Sequence, residues 1–208
     1  MADLKALADA VIKGNQAESV RLTREALEQG VAPKKVLDEG LIAGMSIIGV
    51  RFKANEVYVP EVLISARAMK TAMEILEPKL VAAGVKPLGK VLIGTVVGDL
   101  HDIGKKLVVM MLKGAGFQVE DIGVDVAPDD FIEKIRATKA TIVGLSALLT
   151  TTMPAMDKTI QAIREAGLDC KIMIGGAPVT QNYANKIGAD GYAPDAASAV
   201  DVAKRFLN

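Results

Sequence analysis

The sequence is poor in the residues that build protein metal clusters and disulfides. Its 208 residues include one histidine, His101, and one cysteine, Cys170. Zinc sites normally take three or four nitrogen and sulfur ligands from the protein, so most of them are excluded. A single cysteine also excludes a disulfide within the chain and favours a reducing compartment, so we expect a cytoplasmic protein.

Aromatic residues and net charge are also scarce. There is no Trp, aromatics make up 3% of the chain, and 25 basic residues balance 25 acidic ones. The stacking platforms that bind single-stranded nucleic acid are therefore poorly supplied. No excess of charge favours a polyanion or an anionic membrane. The N-terminal segment lacks a signal-peptide pattern, and no long uncharged apolar run predicts a membrane span. We therefore expect neither nucleic acid nor a membrane as a partner.

The apolar residues of the N-terminal part repeat with a helical period. Four amphipathic stretches are separated at Gly14-Asn15, at Gly30 and after Asn55. Such stretches with short connections predict a bundle of four helices in residues 1–80. The segment VAAGVKPLGK, residues 81–90, is predicted to be a linker.

The pattern changes at Lys90, where short apolar runs begin to alternate with helical stretches. Continuous apolar runs are typical of parallel strands covered on both faces. Alternating strands and helices predict an α/β fold with a doubly wound parallel sheet. The predicted strands are KVLIGTVV, FQVEDIGVDV, TIVGLSALL and CKIMIGGAPV, with DGYAP as a short strand or turn.

The segment GTVVGDLHDIGKK, residues 94–106, is a candidate site because of its place in the sheet. It ends the first predicted strand, and ligands of such sheets bind beyond the carboxyl ends of the strands. His101 stands between Asp99 and Asp102, with Gly98 and Gly104 on either side.

Several interpretations compete for this segment. The P-loop and dinucleotide motifs both fail, because five residues (99 to 103) separate Gly98 from Gly104 and Lys106 replaces the required Ser or Thr. A metal hydrolase built on a His-Asp pair needs further histidines. A phospho-receiver site could use Asp99 and Asp102 but leaves His101 unexplained. A surface loop with an inert histidine stays open.

Two further elements follow at defined distances. Ser146 and Leu148 come after 41 residues (105 to 145), and Gly175-Gly176 after another 26 (149 to 174). The pattern DxHxxG, SxL, GG resembles, in order and spacing, the cobalamin-binding signature of methionine synthase and of the corrinoid proteins of methyltransferase systems. The stretch GVRFKANEVYVPEVLISARAMKTAMEILEP is similar to the helical cap of those methyl carriers. The small two-domain corrinoid proteins of methanol, methylamine and aryl methyl ether metabolism resemble essentially the whole chain.

The resemblance implies the domain organisation and the cofactor. It implies a helical cap domain in residues 1–80, a hinge-like linker in 81–90 and a Rossmann-like, flavodoxin-like cobalamin-binding domain in 91–208. The cofactor would be cobalamin or a related cobamide, bound base-off with His101 as the lower ligand of cobalt. One protein ligand then suffices, because the corrin ring brings its own nitrogens.

The resemblance also implies roles for the neighbours of His101. Asp99 would accept a hydrogen bond from the second ring nitrogen of the imidazole. Thr152 would continue this relay, although a threonine at that position is equally suited to capping the next helix. The resemblance gives Asp102 no specific role; from its position, Asp102 is predicted to cap the helix that opens near Gly104.

The other implied contacts are with the nucleotide tail and with the methyl-bearing face. Ser146 and Leu148 would meet the tail, the Ser146 hydroxyl would bind its base, and Gly175 and Gly176 would leave space for it. Four apolar cap residues would cover the methyl-bearing face, although plain bundle core explains them equally well. The full set of implied cofactor contacts is Gly98, Asp99, Leu100, His101, Asp102, Ile103, Gly104, Ser146, Leu148, Thr150, Gly175 and Gly176, with Phe52, Val59, Val62 and Leu63 from the cap.

The implied function is that of a methyl carrier. A substrate-specific methyltransferase would load the corrinoid cobalt, a methylcorrinoid-dependent acceptor methyltransferase would unload it, and a reductive activase would rescue oxidised cofactor. The chain would be a subunit of a methyltransferase system rather than a complete enzyme. The alternatives are a subunit of an adenosylcobalamin-dependent isomerase, a cobalamin-binding sensor or regulator, and an α/β domain without cofactor. The helical cap argues against the isomerase, and the lack of a basic recognition helix argues against the regulator.

Overall fold

A computed structural model describes residues 3–207 of the chain. The chain forms two compact units. One contains the chain up to Pro87 together with Gly114–Gly116, and the other contains Leu88–Lys113 and the chain from Phe117 onward. Within residues 3–207, no helix has the length and apolar character needed to cross a membrane.

The first unit contains the four predicted helices. Asp3 and Asn15 accept hydrogen bonds from backbone N–H groups in the first turns of the first two helices, at 2.9 and 3.1 Å. The third helix contains a π-helical turn between two α-helical segments. The elements are α1 (Leu4–Ile12), α2 (Gln16–Glu28), α3 (Pro33–Lys35), the π-helical turn (Val36–Ile42), α4 (Ala43–Lys53) and α5 (Val59–Ala82).

Large apolar side chains fill the interior of this unit, as the helical period predicts. The completely or almost completely buried ones include Leu7, Val11, Leu41, Met45, Ile48 and Leu76. Glycine allows a close approach of two helices at Gly44, where a β-carbon would lie 2.8 Å from the Ala8 carbonyl oxygen of α1. The third helix is therefore packed directly on the backbone of the first.

The second unit is a parallel sheet with helices in its connections. The strands are arranged in the order β2-β1-β3-β4-β5, and all pairs are parallel. The α/β fold with a doubly wound parallel sheet is thereby confirmed, including the short fifth strand. The elements are β1 (Lys90–Thr95), α6 (Ile103–Gly114), β2 (Gln118–Asp121), α7 (Pro128–Thr138), β3 (Ile142–Ser146), α8 (Met153–Glu165), β4 (Lys171–Gly175), α9 (Gln181–Lys186), β5 (Gly191–Ala193) and α10 (Ala196–Arg205).

The strands are shorter than their apolar runs suggest. The run KVLIGTVV extends to Val97, whereas β1 ends at Thr95, and β2 covers only four residues of FQVEDIGVDV. At the other end of the first run, α5 continues to Ala82, so the segment predicted as a linker contributes to both α5 and β1. The residues beyond the strand ends form the loops of the candidate site.

The register brings the ends of three strands level. Thr95 of β1 pairs with Ser146 of β3, and Ser146 pairs with Gly175 of β4. In the observed strand order, β2 lies on one side of β1 and β3 lies on the other. The order of the strands therefore reverses beside β1, and sheets of this kind bind ligands at such a switch point.

Candidate functional site

The three sequence motifs meet at the carboxyl edge of the sheet. Because Thr95, Ser146 and Gly175 are neighbours across β1, β3 and β4, the loops that follow them start side by side. Residues from three distant parts of the sequence thus form one surface.

The buried carboxylate of Asp99 connects the first motif to the second. Its Oδ1 accepts hydrogen bonds from the His101 backbone N–H at 3.0 Å and contacts His101 Nδ1 at 2.9 Å. Its Oδ2 accepts from Leu148 N–H at 2.7 Å and from Thr152 Oγ1 at 2.8 Å. Asp99 has no exposed surface. The loops after β1 and β3 are therefore fixed to each other through one side chain.

The surroundings of Asp99 favour its ionised form. Burial by itself raises the pKa of the carboxyl, because a charge loses hydration in the interior. The hydrogen bonds from Leu148, His101 and Thr152 outweigh that effect and hold the pKa of Asp99 well below its usual range. An ionised carboxylate only accepts hydrogen bonds, so Nδ1 of the imidazole carries the proton in this contact.

His101 is consequently held by one ring nitrogen and presents the other. With the proton on Nδ1, the lone pair of a neutral imidazole is on Nε2, the nitrogen that a metal would use. The side chain is 52% exposed, so a ligand can reach it. The hydroxyl of Thr95 donates to the His101 carbonyl oxygen at 2.9 Å and fixes the backbone of the loop as well. Sequence analysis did not identify Thr95, which its pattern assigned only to a buried strand.

Thr152 stands at the N-cap position of α8, but its hydroxyl makes no capping hydrogen bond to that helix. Its Oγ1 contacts Asp99 Oδ2 and also lies 2.9 Å from the Leu149 carbonyl oxygen. Of the two interpretations of Thr152, the geometry favours the contact with Asp99.

Exposed apolar side chains surround the histidine. Ile103 is 81% exposed and Leu100 is 72% exposed, with Leu148 also exposed. Val97 and Leu149 add to this surface, and the sequence pattern had assigned them to strands because they end two apolar runs. A group of exposed apolar side chains of this kind indicates a surface that binds a ligand or another protein.

For most glycines of the motifs, contacts or backbone angles within the chain explain why a side chain is not tolerated. Gly98 and Gly176 have positive φ angles of 84° and 138°. A β-carbon on Gly176 would lie 1.8 Å from the Ala147 carbonyl oxygen, and one on Gly175 would lie 3.0 Å from the Ala193 carbonyl oxygen. Gly176 is therefore required by the backbone of the loop after β3, whether or not it also makes room for a ligand.

No contact or backbone angle within the chain explains the glycine at position 104. It does not have a positive φ, and, apart from its own helix backbone and chain neighbours, no described residue lies within 4 Å of the position where its β-carbon would be. The missing side chain leaves open space beside the histidine loop.

Asp102 directly precedes α6, and its capping of that helix stays a prediction. Its carbonyl oxygen accepts from Lys106 N–H at 2.7 Å. Its carboxylate pairs with the Lys106 ammonium, which lowers the pKa of Asp102 and raises that of Lys106. The residue before Lys106, Lys105, is buried and pairs with Asp121 at the end of β2. Neither member of that second pair stood out in the sequence.

The remaining predicted contacts differ in exposure. Ser146, Gly175 and Gly176 are half-buried and Thr150 is exposed. Among the predicted cap residues, Val59 is exposed and Phe52 and Leu63 are half-buried. Val62 has no exposed surface.

The histidine suits a metal that brings its other ligands with it. In the described part of the chain, no three His, Cys, Asp or Glu side chains are placed to hold a metal ion together. A single oriented imidazole, an apolar surface around it and open space at Gly104 match a metal held in a macrocycle, whose ring supplies the equatorial ligands.

The two kinds of glycine predict opposite effects of alanine on folding. Gly176→Ala should lower the free energy of unfolding by at least about 2 kcal/mol, because it combines a collision with backbone and a strained φ. The matched variant Gly104→Ala should leave it unchanged or raise it by up to about 1 kcal/mol. Denaturant unfolding of both purified variants measures the difference. Equal stability of the two would contradict this account of Gly176.

Comparison with known proteins gives the same assignment to both parts of the chain. Two family models, each described as a B12 binding domain, match residues 89–201 and 3–77. The dimethylamine corrinoid protein 3 of Methanosarcina acetivorans is 45% identical over 213 residues, which cover 100% of both proteins.

Solved structures agree with these matches. A cobalamin-binding protein from Desulfitobacterium hafniense has a TM-score of 0.84 and 30% identity over 100% of both chains. The methanol:cobalamin methyltransferase complex of Methanosarcina barkeri has a TM-score of 0.88 and 28% identity over 98% of this chain and 79% of that one. The resemblance drawn from the three motifs is confirmed: the chain belongs to the family of B12-binding corrinoid proteins.

Proposed function

We propose that the chain is the methyl-carrying subunit of a corrinoid-dependent methyltransferase system. The observation that carries the proposal is the 2.9 Å contact between His101 Nδ1 and Asp99 Oδ1. It orients the imidazole and leaves Nε2 without a proton, so that His101 would serve as the lower ligand of cobalt. The corrinoid would bind base-off, with its own lower base displaced by His101. When bound, it supplies a cobalt atom that accepts and releases a methyl group.

Asp99 and Thr152 would adjust the basicity of that ligand. A carboxylate that accepts from Nδ1–H makes the imidazole a stronger donor through Nε2. The Thr152 hydroxyl has two acceptors within reach, Asp99 Oδ2 and the Leu149 carbonyl oxygen. If Asp99 took up a proton, Thr152 could turn its own proton to Leu149 and still accept a hydrogen bond from Asp99. This gives Asp99, His101 and Thr152 the roles that the resemblance implies.

The apolar residues around His101 would exclude water from the corrin ring. Leu100 and Ile103 serve this purpose in the proposal, and the exposed Val97 and Leu149 extend the same surface. Gly104 would give the ring its space. Ser146, Leu148, Gly175 and Gly176 would receive the nucleotide tail, and the cofactor contacts that complete the proposed site are Gly98, Asp102 and Thr150.

Several parts of the proposal are predictions that rest on the resemblance. They are the division into a cap domain (1–80), a hinge (81–90) and a cobalamin-binding domain (91–208), and the covering of the methyl-bearing face by Phe52, Val59, Val62 and Leu63. The cytoplasmic location expected from the single cysteine also stays a prediction.

The proposed partners are a substrate-specific methyltransferase, a methylcorrinoid-dependent acceptor methyltransferase and a reductive activase. Relatives support this system: one is named for dimethylamine, and a structure of similar fold is part of a methanol methyltransferase complex. The methyl donor would then be an alcohol, amine or ether of one-carbon metabolism. Similarity to a dimethylamine corrinoid protein along the entire chain supports the carrier over the isomerase and the regulator.

Isotope labelling tests the histidine ligand directly. The protein is grown in ¹⁵N medium, loaded anaerobically with unlabelled cobalamin and reduced to cobalt(II) for electron paramagnetic resonance. We expect the nitrogen splitting to be a doublet, because the axial nitrogen comes from labelled His101. His101→Ala should lose it, whereas Asp102→Asn should keep it, since that carboxylate contacts Lys106. A triplet in the parent protein would mean that the cofactor's own base stays bound and would refute the ligand assignment.

The open space at Gly104 predicts that a large side chain at this position would interfere with binding of the cofactor. Gly104→Leu should weaken cobalamin binding by about tenfold or more while leaving the melting temperature close to that of the parent, because the new side chain fills only outside space. Gly104→Ala is the graded control and should have a smaller effect on affinity. Equilibrium titration of the apoprotein measures both. Unchanged affinity in the leucine variant would place the ring elsewhere.

A labelled methyl group separates the carrier from its alternatives. Reduced holoprotein treated with radiolabelled methyl iodide should retain the label through gel filtration and release it in light, because cobalt–carbon bonds are photolabile. Apoprotein under the same conditions provides the background. An isomerase subunit would instead retain adenosylcobalamin and catalyse no methyl transfer, and retention of label at the apoprotein level would refute the carrier function.

A further inference from the structure

The loop between β2 and α7 lies along the end of β1 and reaches the histidine loop. Ile122 N–H donates to the Ile93 carbonyl oxygen at 2.9 Å, and Val126 N–H donates to the Thr95 carbonyl oxygen at 3.0 Å. These bonds carry the pairing of the two strands beyond β2 itself. They place Asp125, the residue before Val126, against the peptide chain that follows β1.

Asp125 forms one hydrogen bond with Gly98 and another with Asp99 in that peptide chain. Its Oδ1 accepts a hydrogen bond from Gly98 N–H at 2.7 Å. Its own N–H donates to the Asp99 carbonyl oxygen at 3.0 Å. Gly98 has a φ of 84°, so the chain turns sharply there. The two bonds therefore fix the entry to the turn and the backbone of Asp99 together.

The backbone of Asp125 is itself in an unusual conformation. Its φ is 55°, in the left-handed region, where aspartate and asparagine are tolerated better than other residues with side chains. Such conformations persist where surrounding contacts impose them, and they cluster at functional sites. A residue in this position must satisfy two requirements, the left-handed backbone and an acceptor for Gly98 N–H.

We propose that Asp125 is a positioning residue for the proposed cobalt ligand and that it acts through Asp99. The direction of the Asp99 carboxylate depends on where the Asp99 backbone is held. That carboxylate in turn orients His101 through Nδ1. Asp125 thus extends the sequence of contacts from the imidazole to a loop that no motif in the sequence marked. The inference rests on the proposed role of His101 for its effect on cobalt, while its effect on the imidazole is independent of any cofactor.

Three substitutions separate the two requirements. Asp125→Asn keeps an acceptor oxygen and tolerates a left-handed backbone. Asp125→Gly keeps the backbone conformation and removes the acceptor. Lys139→Gly is the matched control, because exposed Lys139 has almost the same φ, 56°, at the end of α7. It introduces the same flexibility without touching the histidine loop.

The single histidine allows a readout on the apoprotein. Protein without a histidine tag gives one set of imidazole signals in ¹⁵N–¹H long-range correlation spectra, and these signals report the tautomer. We expect the parent, Asp125→Asn and Lys139→Gly to have the proton on Nδ1. Asp125→Gly should have a mixture of tautomers, because the peptide chain before Asp99 loses the bond from Gly98 N–H and the Asp99 carboxylate is then held less firmly.

Cobalamin-loaded protein gives the second readout. Asp125→Gly should bind cobalamin about fivefold more weakly than Lys139→Gly, the loss expected for one hydrogen bond to a carboxylate at an exposed position. In ¹⁵N-labelled protein, the paramagnetic resonance spectrum of Asp125→Gly should contain a fraction without the histidine doublet. Asp125→Asn should restore both properties.

The outcomes distinguish this inference from the proposed function. If Asp125→Gly has the tautomer, affinity and spectrum of Lys139→Gly, Asp125 has no positioning role although the carrier function stands. If the parent binds cobalamin without His101, the ligand assignment fails, and the apoprotein tautomers still decide whether Asp125 orients the imidazole. A mixture of tautomers in the parent itself would also overturn the inference.

Discussion

The buried carboxylate of Asp99 is the contact on which the rest of the site depends. It accepts from His101 and from the loop after β3 at the same time, so it fixes both the direction of the imidazole and the approach of the SxL motif. A buried charge is costly unless every lone pair finds a donor. Here the hydrogen bonds more than offset that cost, as the lowered pKa of Asp99 indicates. Losing any one donor would therefore disturb the others.

The chain offers few metal ligands because a corrinoid brings most of the ligands of its metal with it. A protein that builds a metal site from its own side chains needs several of them in one place, and the described residues offer no such group. In the proposed mode of binding, a corrinoid takes from the protein one nitrogen, a surface that excludes water and room for its ring. The half-exposed His101, the apolar residues beside it and the open space at Gly104 correspond to these three needs.

The glycines show that a motif can identify the correct residues although the structural reason differs from one residue to the next. The family pattern identifies Gly104 and Gly176 equally. In the structure, Gly176 is required by a backbone oxygen of the neighbouring loop, whereas Gly104 has no neighbour in the chain. Sequence spacing cannot distinguish a glycine that avoids its own protein from one that leaves space for a ligand, because that difference depends on atoms distant in the chain.

The sequence by itself determined the order of helices and strands and the parallel sheet, because apolar periodicity is a local property. His101 as the candidate metal ligand, with Asp99 and the SxL and GG elements, was identified from it through the resemblance to a family pattern. Only the tertiary structure decided the ends of the strands, the exposure of Val97 and Leu149, and the parts of Thr95, Lys105 and Asp125. Their contacts join residues brought together by strand register, and no local pattern in the sequence encodes which distant backbone atoms a side chain will meet.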